Sequence, residues 1–414
     1  MRIAMLSYHT CPLATLGGKD TGGMNVYVRD LTRQLGRMGV HVDVFTRSQD
    51  EHVPHVLHDL GYGNRVVHVP AGEEIPLPRD QLRAHIPKFA EAILEFAAAK
   101  KLKYDLIHSH YWMSGIAAER LKREWQVPVV HMFHTLGQMK NRVAGPGEAE
   151  GEYRVQGEKE VLANSERIIA ATPAELAQLQ WLYKADPRKI TVIPPGVDVS
   201  HFYPIPKDEA RGYTGVPLGC NNILFVGRIE PLKGIDVLIE AIAAMTQGGL
   251  VDRKKLCVTI IGGESDSNGD EMNKEMIRLQ ELRERFGVGD IVTFAGKRSQ
   301  DSLPYYYCSA DVVVMPSHYE SFGLVALEAM ACGTPVVASQ VGGLQFLVVD
   351  GETGFLIPGE DPRHLCERLT ALVNDPELRR RLGGNAYQRA QAYAWDKIAA
   401  ELAGVYARLT SPGR

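Results

Sequence analysis

Three short stretches combine charge with glycine or a helix start in a way that suits an anionic ligand. In Phe225-Val226-Gly227-Arg228-Ile229-Glu230-Pro231-Leu232-Lys233-Gly234, two cations stand five residues apart just beyond an apolar run. Cations at the carboxyl end of a buried strand suit a diphosphate; the bland alternative is a solvated loop. In Glu320-Ser321-Phe322-Gly323-Leu324-Val325-Ala326-Leu327-Glu328, two carboxylates lie eight apart. Ser321 to Val325 would present consecutive N–H groups at a helix start, which suits phosphate, and a carboxylate accepts hydrogen bonds from sugar hydroxyls. The alternative is one helix-terminal charge and one surface glutamate. The third stretch, Gly17-Gly18-Lys19-Asp20-Thr21-Gly22-Gly23-Met24-Asn25, lets backbone approach a ligand and opens a helix. It lacks GxGxxG spacing, so a dinucleotide fingerprint is not met, and a tight turn explains it equally well.

Two further groups are scattered. His9, His108, His110 and His134 lie at or near the ends of apolar runs, with His134 in His131-Met132-Phe133-His134-Thr135. Arg79, Tyr111, Thr135, Lys140 and Arg154 are cationic or hydroxyl side chains in the same half. Together they could hold a second anion, such as a phosphate on an acceptor, but spacing alone does not assemble them. Asp43, Asp198 and Asp301 are isolated and no CxxC occurs, so no metal site is expected.

The elements that would position these residues follow from alternation. Strands are predicted at Arg2–Ser7, His41–Thr46, Arg65–Pro70, Leu106–His110, Val127–His131 and Arg167–Ala171, with helices such as Met24–Met38 and Pro87–Lys100 between them. A Pro/Gly-rich passage over 194–222 reads as a linker. Strands then resume at Asn222–Val226, Cys257–Ile261, Ile291–Ala295, Asp311–Met315 and Pro335–Ala338, with helices at Ile235–Met245, Glu271–Phe286, Gly323–Met330 and Pro362–Leu372. The reading is two doubly wound parallel α/β domains, 1–200 and 201–390, facing across a cleft, with ligands at the carboxyl ends of the strands. The tail Asp375–Leu409 is helix-rich, and 391–414 is read as a helix crossing back to the first domain.

Composition agrees with a globular chain. Of 414 residues, 45% are apolar and 23% charged, which excludes disorder and a small disulfide-stapled scaffold. Lys+Arg 46 against Asp+Glu 50 does not mark a nucleic-acid binder. The six cysteines, Cys11, Cys220, Cys257, Cys308, Cys332 and Cys366, are read as reduced core thiols. The opening MRIAMLSYH reads as a strand rather than a leader, and no apolar run reaches bilayer length, so a cytoplasmic location is expected.

With these motifs in view, the chain resembles the retaining family 4 glycosyltransferases of GT-B fold over nearly its whole length. ESFGLVALEAMACGTPVVAS carries the resemblance, with FVGRIEPLKG, VIPPGVD and DTGGMNVYVRDL. Two subgroups are similar: the inositol-phosphate N-acetylglucosaminyltransferases that start mycothiol synthesis and the sucrose-phosphate synthases. GGMNVY, SHYWMSG, HTLGQMKN and ESFGLV favour the first, and Met24 and Ser321 stand where the second tends to have Gln and Pro.

The resemblance implies a UDP-sugar donor, glucose or N-acetylglucosamine, and no cofactor for catalysis. Arg228 and Lys233 would bind the diphosphate and neutralise the leaving group. Glu328 would accept from ribose hydroxyls. Glu320, Ser321, Phe322, Gly323, Leu324 and Val325 would hold hexose and phosphate, Gly23 would approach the donor, and Arg298 would lie near the nucleobase. His134 would sit near the reacting centre. Asn25, Arg79, Tyr111, His134, Thr135, Lys140 and Arg154 would face the acceptor, an inositol phosphate or fructose 6-phosphate. The family usually has Lys where Arg79 stands, so the charge is kept and its donor geometry differs. Attack would come from the front face, with a donor phosphate oxygen as base.

Two other readings stay open. A lipid or polysaccharide acceptor would use an exposed basic-apolar surface such as Pro87–Lys103, which reads equally as a packed surface helix. A sugar-nucleotide epimerase of the same fold would need an acid/base pair for elimination. A non-catalytic binding module is disfavoured by the full set Glu320, Glu328, Arg228, Lys233 and His134. The sequence leaves open whether the chain is a monomer or a homodimer.

Overall fold

The computed structural model describes residues 1–14, 22–143, 150–263 and 274–411. Of the glycine-rich stretch, Gly17 to Thr21 lies outside the described residues, as does the start of the helix expected from Glu271. Within the described residues there are two sheets.

The first holds β1 (Arg2–Leu6), β2 (His41–Arg47), β3 (Val56–Leu57), β4 (Arg65–Val69), β5 (Leu106–His110), β6 (Val129–Met132), β7 (Arg167–Ala170) and β8 (Ile190–Val192). Their order is β3-β4-β2-β1-β5-β6-β7-β8, parallel except for β3 against β4. β1, β5 and β6 are buried on both faces, and the polar side chains they carry, His108, Ser109, His110 and His131, are buried with them. The helix Gly23–Arg37 buries Val26, Tyr27, Leu31 and Leu35 at helical spacing. The helix Ile86–Ala99 buries Phe89, Ala90 and Ile93, so the amphipathic Pro87–Lys103 segment is a packed helix.

The second sheet holds β9 (Asn221–Val226), β10 (Leu256–Ile261), β11 (Val292–Gly296), β12 (Val312–Met315), β13 (Val336–Ser339) and β14 (Gly354–Ile357). The order is β11-β10-β9-β12-β13-β14, all parallel. Its core gathers Ile223, Phe225, Leu238, Ile242, Val258, Val312 and Leu369.

Each sheet has one place where consecutive crossovers depart in opposite directions: between β1 and β5 in the first, between β9 and β12 in the second. Ligands of open α/β sheets lodge beyond the strand ends at such points. The chain passes from one compact unit to the other at Gly196–Val197 and returns at Ala394–Trp395, so the helix Trp395–Thr410 belongs to the first unit. It lies on the helix Gly23–Arg37, with Tyr406 Oη 2.7 Å from His108 Nδ1 and the Trp395 ring 5.3 Å from that of Tyr27.

Several expectations are corrected. The 194–222 passage is not all linker: residues Lys207–Thr214 form a helix closed by Gly215 at φ +76°. The short strands β3, β8 and β14 add to the predicted set. One cysteine pair is not reduced: Cys220 and Cys257 form a disulfide, Cα atoms 6.1 Å apart. The β9–β10 register, Asn221 beside Leu256, brings them together. Cys11, Cys308, Cys332 and Cys366 are free thiols.

Candidate functional site

On the second unit, the β9 and β12 loops meet at the switch point. Lys233 Nζ lies 2.6 Å from Glu320 Oε2, joining residues 87 apart in sequence. Arg228, at the end of β9, pairs with Glu230 at 2.7 Å. Gly234, at φ +64°, starts the helix Ile235–Gln247, and a Cβ there would stand 2.0 Å from the Pro316 carbonyl oxygen. Gly342, at φ +47°, is as tight: a Cβ would stand 1.7 Å from the Glu320 carbonyl oxygen. These two glycines let the loops touch backbone to backbone.

Ser321, Phe322 and Gly323 lead into the helix Leu324–Ala331, whose first-turn N–H groups have no intrahelical acceptor. Leu324 and Val325 open that helix and are partly exposed, while Phe322 is buried. Glu328 is buried and accepts from Tyr307 Oη at 2.7 Å. Burial, with the Glu328 charge, pushes the Tyr307 phenol well up, so it stays protonated and donating. Arg298 follows β11, the edge strand, and donates to Tyr306 Oη at 2.6 Å. It stands two strands away from β9, apart from the Lys233–Glu320 pair.

On the first unit, the β1, β5 and β6 ends bring together most of the scattered residues. Tyr111 caps the helix Trp112–Trp125 at φ +70°, ψ +150°, a region that non-glycine residues rarely enter. Its ring lies 4.5 Å from that of His9, and the Arg154 guanidinium stands 5.0 Å from its centroid. Arg154 is 1% exposed. Its Nε donates to Glu158 Oε1 at 3.0 Å, its Nη2 to both Thr135 oxygens at 3.0 Å, and its Nη1 to Glu150. Lys140 Nζ is 3.1 Å from the same Glu150 oxygen. Arg79 is close enough to act on His9, Tyr111, Lys140 and Glu150 electrostatically. Burial pulls the Lys140 ammonium down, the Glu150 charge opposing it.

His134, also at positive φ (+62°), has Nε2 3.0 Å from His110 Nδ1. Burial, then the Arg79 and Arg154 charges, lower His9 to about 3. Burial likewise lowers His108 and His134 to about 3 and His110 and His131 well below the ordinary value, so the cluster is neutral at pH 7. Tyr27 rings both His110 and His134, at 5.5 and 5.2 Å. Gly23 opens its helix at the surface. Asn25 is spent internally: both amide protons go to Thr10 Oγ1 and the Cys11 carbonyl at 2.7 Å, and its oxygen accepts from Gly22 N–H. It pins the loop after β1 to the helix start.

Sequence reasoning missed Glu150, Glu158, Tyr183, Tyr27 and Gly342. The Arg154–Glu158 spacing of four in a helix was the available signal.

Two parallel α/β units, each gathering charge at its switch point, are the architecture of a GT-B glycosyltransferase. The chain belongs to the glycosyltransferases that join a Glycosyltransferase Family 4 region, matching residues 21–201, to a Glycosyl transferases group 1 region, matching residues 206–389. It is 41% identical to the D-inositol 3-phosphate glycosyltransferase 2 of Catenulispora acidiphila, over 98% of this chain and 95% of that one. Among solved structures it is similar to the sucrose-phosphate synthase of Thermosynechococcus elongatus, at TM-score 0.89 and 37% identity over 99% of this chain and 98% of that one. Anabaena Alr3699/HepE, in complex with UDP and glucose, shares the fold at TM-score 0.76 and 21% identity, covering 98% and 99%.

Proposed function

We propose that this glycosyltransferase moves a hexose from a UDP-sugar to a phosphorylated polyol or sugar with retention of configuration. The observation that carries the reading is the gathering of Arg79, Lys140 and Arg154 around Tyr111 and Thr135 on the first unit. Such a cluster suits a phosphate monoester, and an uncharged acceptor has no use for it. An inositol phosphate is the leading acceptor, supported by the relative at 41% identity and by Met24 and Ser321. Fructose 6-phosphate is the second, supported by the sucrose-phosphate synthase match.

On the donor side, Arg228, Lys233 and the N–H groups opening the helix Leu324–Ala331 stabilise the departing diphosphate. Glu320 holds Lys233 now and turns to hexose hydroxyls when the diphosphate takes the ammonium. Glu328, oriented by Tyr307, accepts from the ribose. His134 is neutral, so it serves the sugar as a hydrogen-bonding group and adds no positive charge beside an oxocarbenium-like centre. The acceptor hydroxyl attacks the face the diphosphate leaves, and a donor phosphate oxygen takes its proton. No described helix is long and apolar enough to cross a membrane.

The test is UDP release from UDP-glucose and UDP-N-acetylglucosamine, each with inositol 3-phosphate, fructose 6-phosphate, the two unphosphorylated parents, and no acceptor. Stimulation by one phosphorylated acceptor and neither parent is expected, with an α-linked product by NMR. Equal stimulation by a parent compound, or a donor epimer formed without acceptor, overturns the reading.

A further inference from the structure

The cation cluster on the first unit is already occupied. Glu150 Oε1 lies between two of its cations, 3.1 Å from Lys140 Nζ and bonded to Arg154 Nη1. One anionic oxygen bridging a guanidinium and an ammonium is the arrangement a phosphate oxygen takes. The two carboxylates that hold Arg154 differ. Glu158 is fully buried and also accepts from the Gly137 N–H at 2.9 Å and from Tyr183 Oη, so it has nowhere to go. Glu150 is 20% exposed at its side chain. Its main chain is tied to Asn141, N–H to Oδ1 at 2.6 Å and Nδ2 to the carbonyl at 3.1 Å, so the side chain can swing while the backbone stays. Burial works to raise the Glu150 carboxyl, but Arg154 and Lys140 outweigh it and hold it below the usual range.

We propose that Glu150 is a built-in stand-in for the acceptor phosphate: its carboxylate neutralises Arg154 and Lys140 in the empty site and is displaced by the incoming phosphoryl group. This rests on the phosphorylated-acceptor reading above. With both carboxylates in place, Arg79, Lys140 and Arg154 leave one net positive charge among these five groups. With Glu150 turned out they leave two, the match for a phosphate monoester of about −1.5 to −2 at neutral pH.

The full-length parent, Glu150→Gln, Glu150→Ala and Arg154→Ala are compared by steady-state kinetics with inositol 3-phosphate and fructose 6-phosphate, and by inorganic phosphate binding in titration calorimetry. Removing the competing charge is expected to lower the acceptor KM and tighten phosphate binding by a similar factor, about three- to tenfold. The kcat should move less than KM, and the preference for the phosphorylated over the unphosphorylated acceptor should hold or widen. Arg154→Ala should raise the same KM. A raised KM in both Glu150 variants would make Glu150 a group that orients the cations and overturn the proposal, as would unchanged KM and phosphate binding. Arg154→Ala with unaltered KM and phosphate binding would instead remove the phosphate reading itself. Calorimetry keeps the test decisive where neither sugar phosphate turns over.

Discussion

The two units gather cations by different means. In the second, Arg228 and Lys233 come from one loop, each partly exposed and each held by a carboxylate. Water supplies much of the Arg228 solvation, and its pair with Glu230 can exchange partners at small cost. In the first, Arg79, Lys140 and Arg154 come from separate segments, and the Arg154 guanidinium is 1% exposed. A charge that deep needs a permanent counter-charge, which Glu158 provides. One anion site is thus an adjustable rim, while the other is part of the framework of its own unit. Loops can touch at the rim because of glycine; the framework instead forces Tyr111 and His134 to positive φ.

The largest effect that would sharpen this contrast is acid destabilisation of the first unit. Its buried imidazoles, His9, His108, His110, His131 and His134, are kept neutral, with His9, His108 and His134 at about 3. The unfolded chain therefore binds more protons below about pH 6.5, and stability falls as pH drops from there toward 3. A single such histidine contributes at most about 1.4 kcal/mol per pH unit in that window. Burial raises Glu175 to about 7, so that carboxyl acts in the opposite sense, but it is one group against five. Tm, followed between pH 7 and 4.5, should fall by a margin equal to several kcal/mol; a flat profile would show the imidazoles are solvated.

Next comes Lys233→Ala, which removes leaving-group stabilisation on the order of 3 kcal/mol, or about a hundredfold in kcat, with the acceptor KM little changed. Turnover within twofold of the parent would take Lys233 out of the donor machinery. The smallest effect is expected from Gly342→Ala, where a Cβ would collide with the Glu320 carbonyl oxygen. About 1–3 kcal/mol of strain should appear as weaker UDP binding by calorimetry with phosphate binding on the first unit unaltered. If phosphate binding weakens equally, the two sites are not the separate constructions described above.

The same contrast explains what could be read from residue order. The second unit's site is written in consecutive residues, FVGRIEPLKG and ESFGLVALE, so its pieces were legible before folding. The first unit's site depends on which strand ends adjoin, and β1, β5 and β6 bring residues as far apart as His9, Tyr111 and Thr135 into one region. Glu150 was hard to read from residue order: Lys140 lies 10 residues away on the helix Gly137–Val143, and Glu150 precedes the helix Glu152–Asn164 that carries Arg154, so its spacing of four is not a spacing within a helix. Long alternating runs gave the sheets. β8 and β3, three and two residues long, are too short to show a period, and β14 hides between glycine and a polar turn. The Cys220–Cys257 pair was hidden for the same reason as Glu150, since only the β9–β10 register makes the two residues neighbours.

The helix Trp395–Thr410 has a consequence for how the chain is born. A ribosome releases residues 197–394 before the segment that places Tyr406 on His108 and Trp395 beside Tyr27. The unit begun first is therefore finished last. Its histidine-bearing strands must wait, incompletely covered, through the synthesis of an entire second unit, and a stall late in translation would strand the older half rather than the younger one.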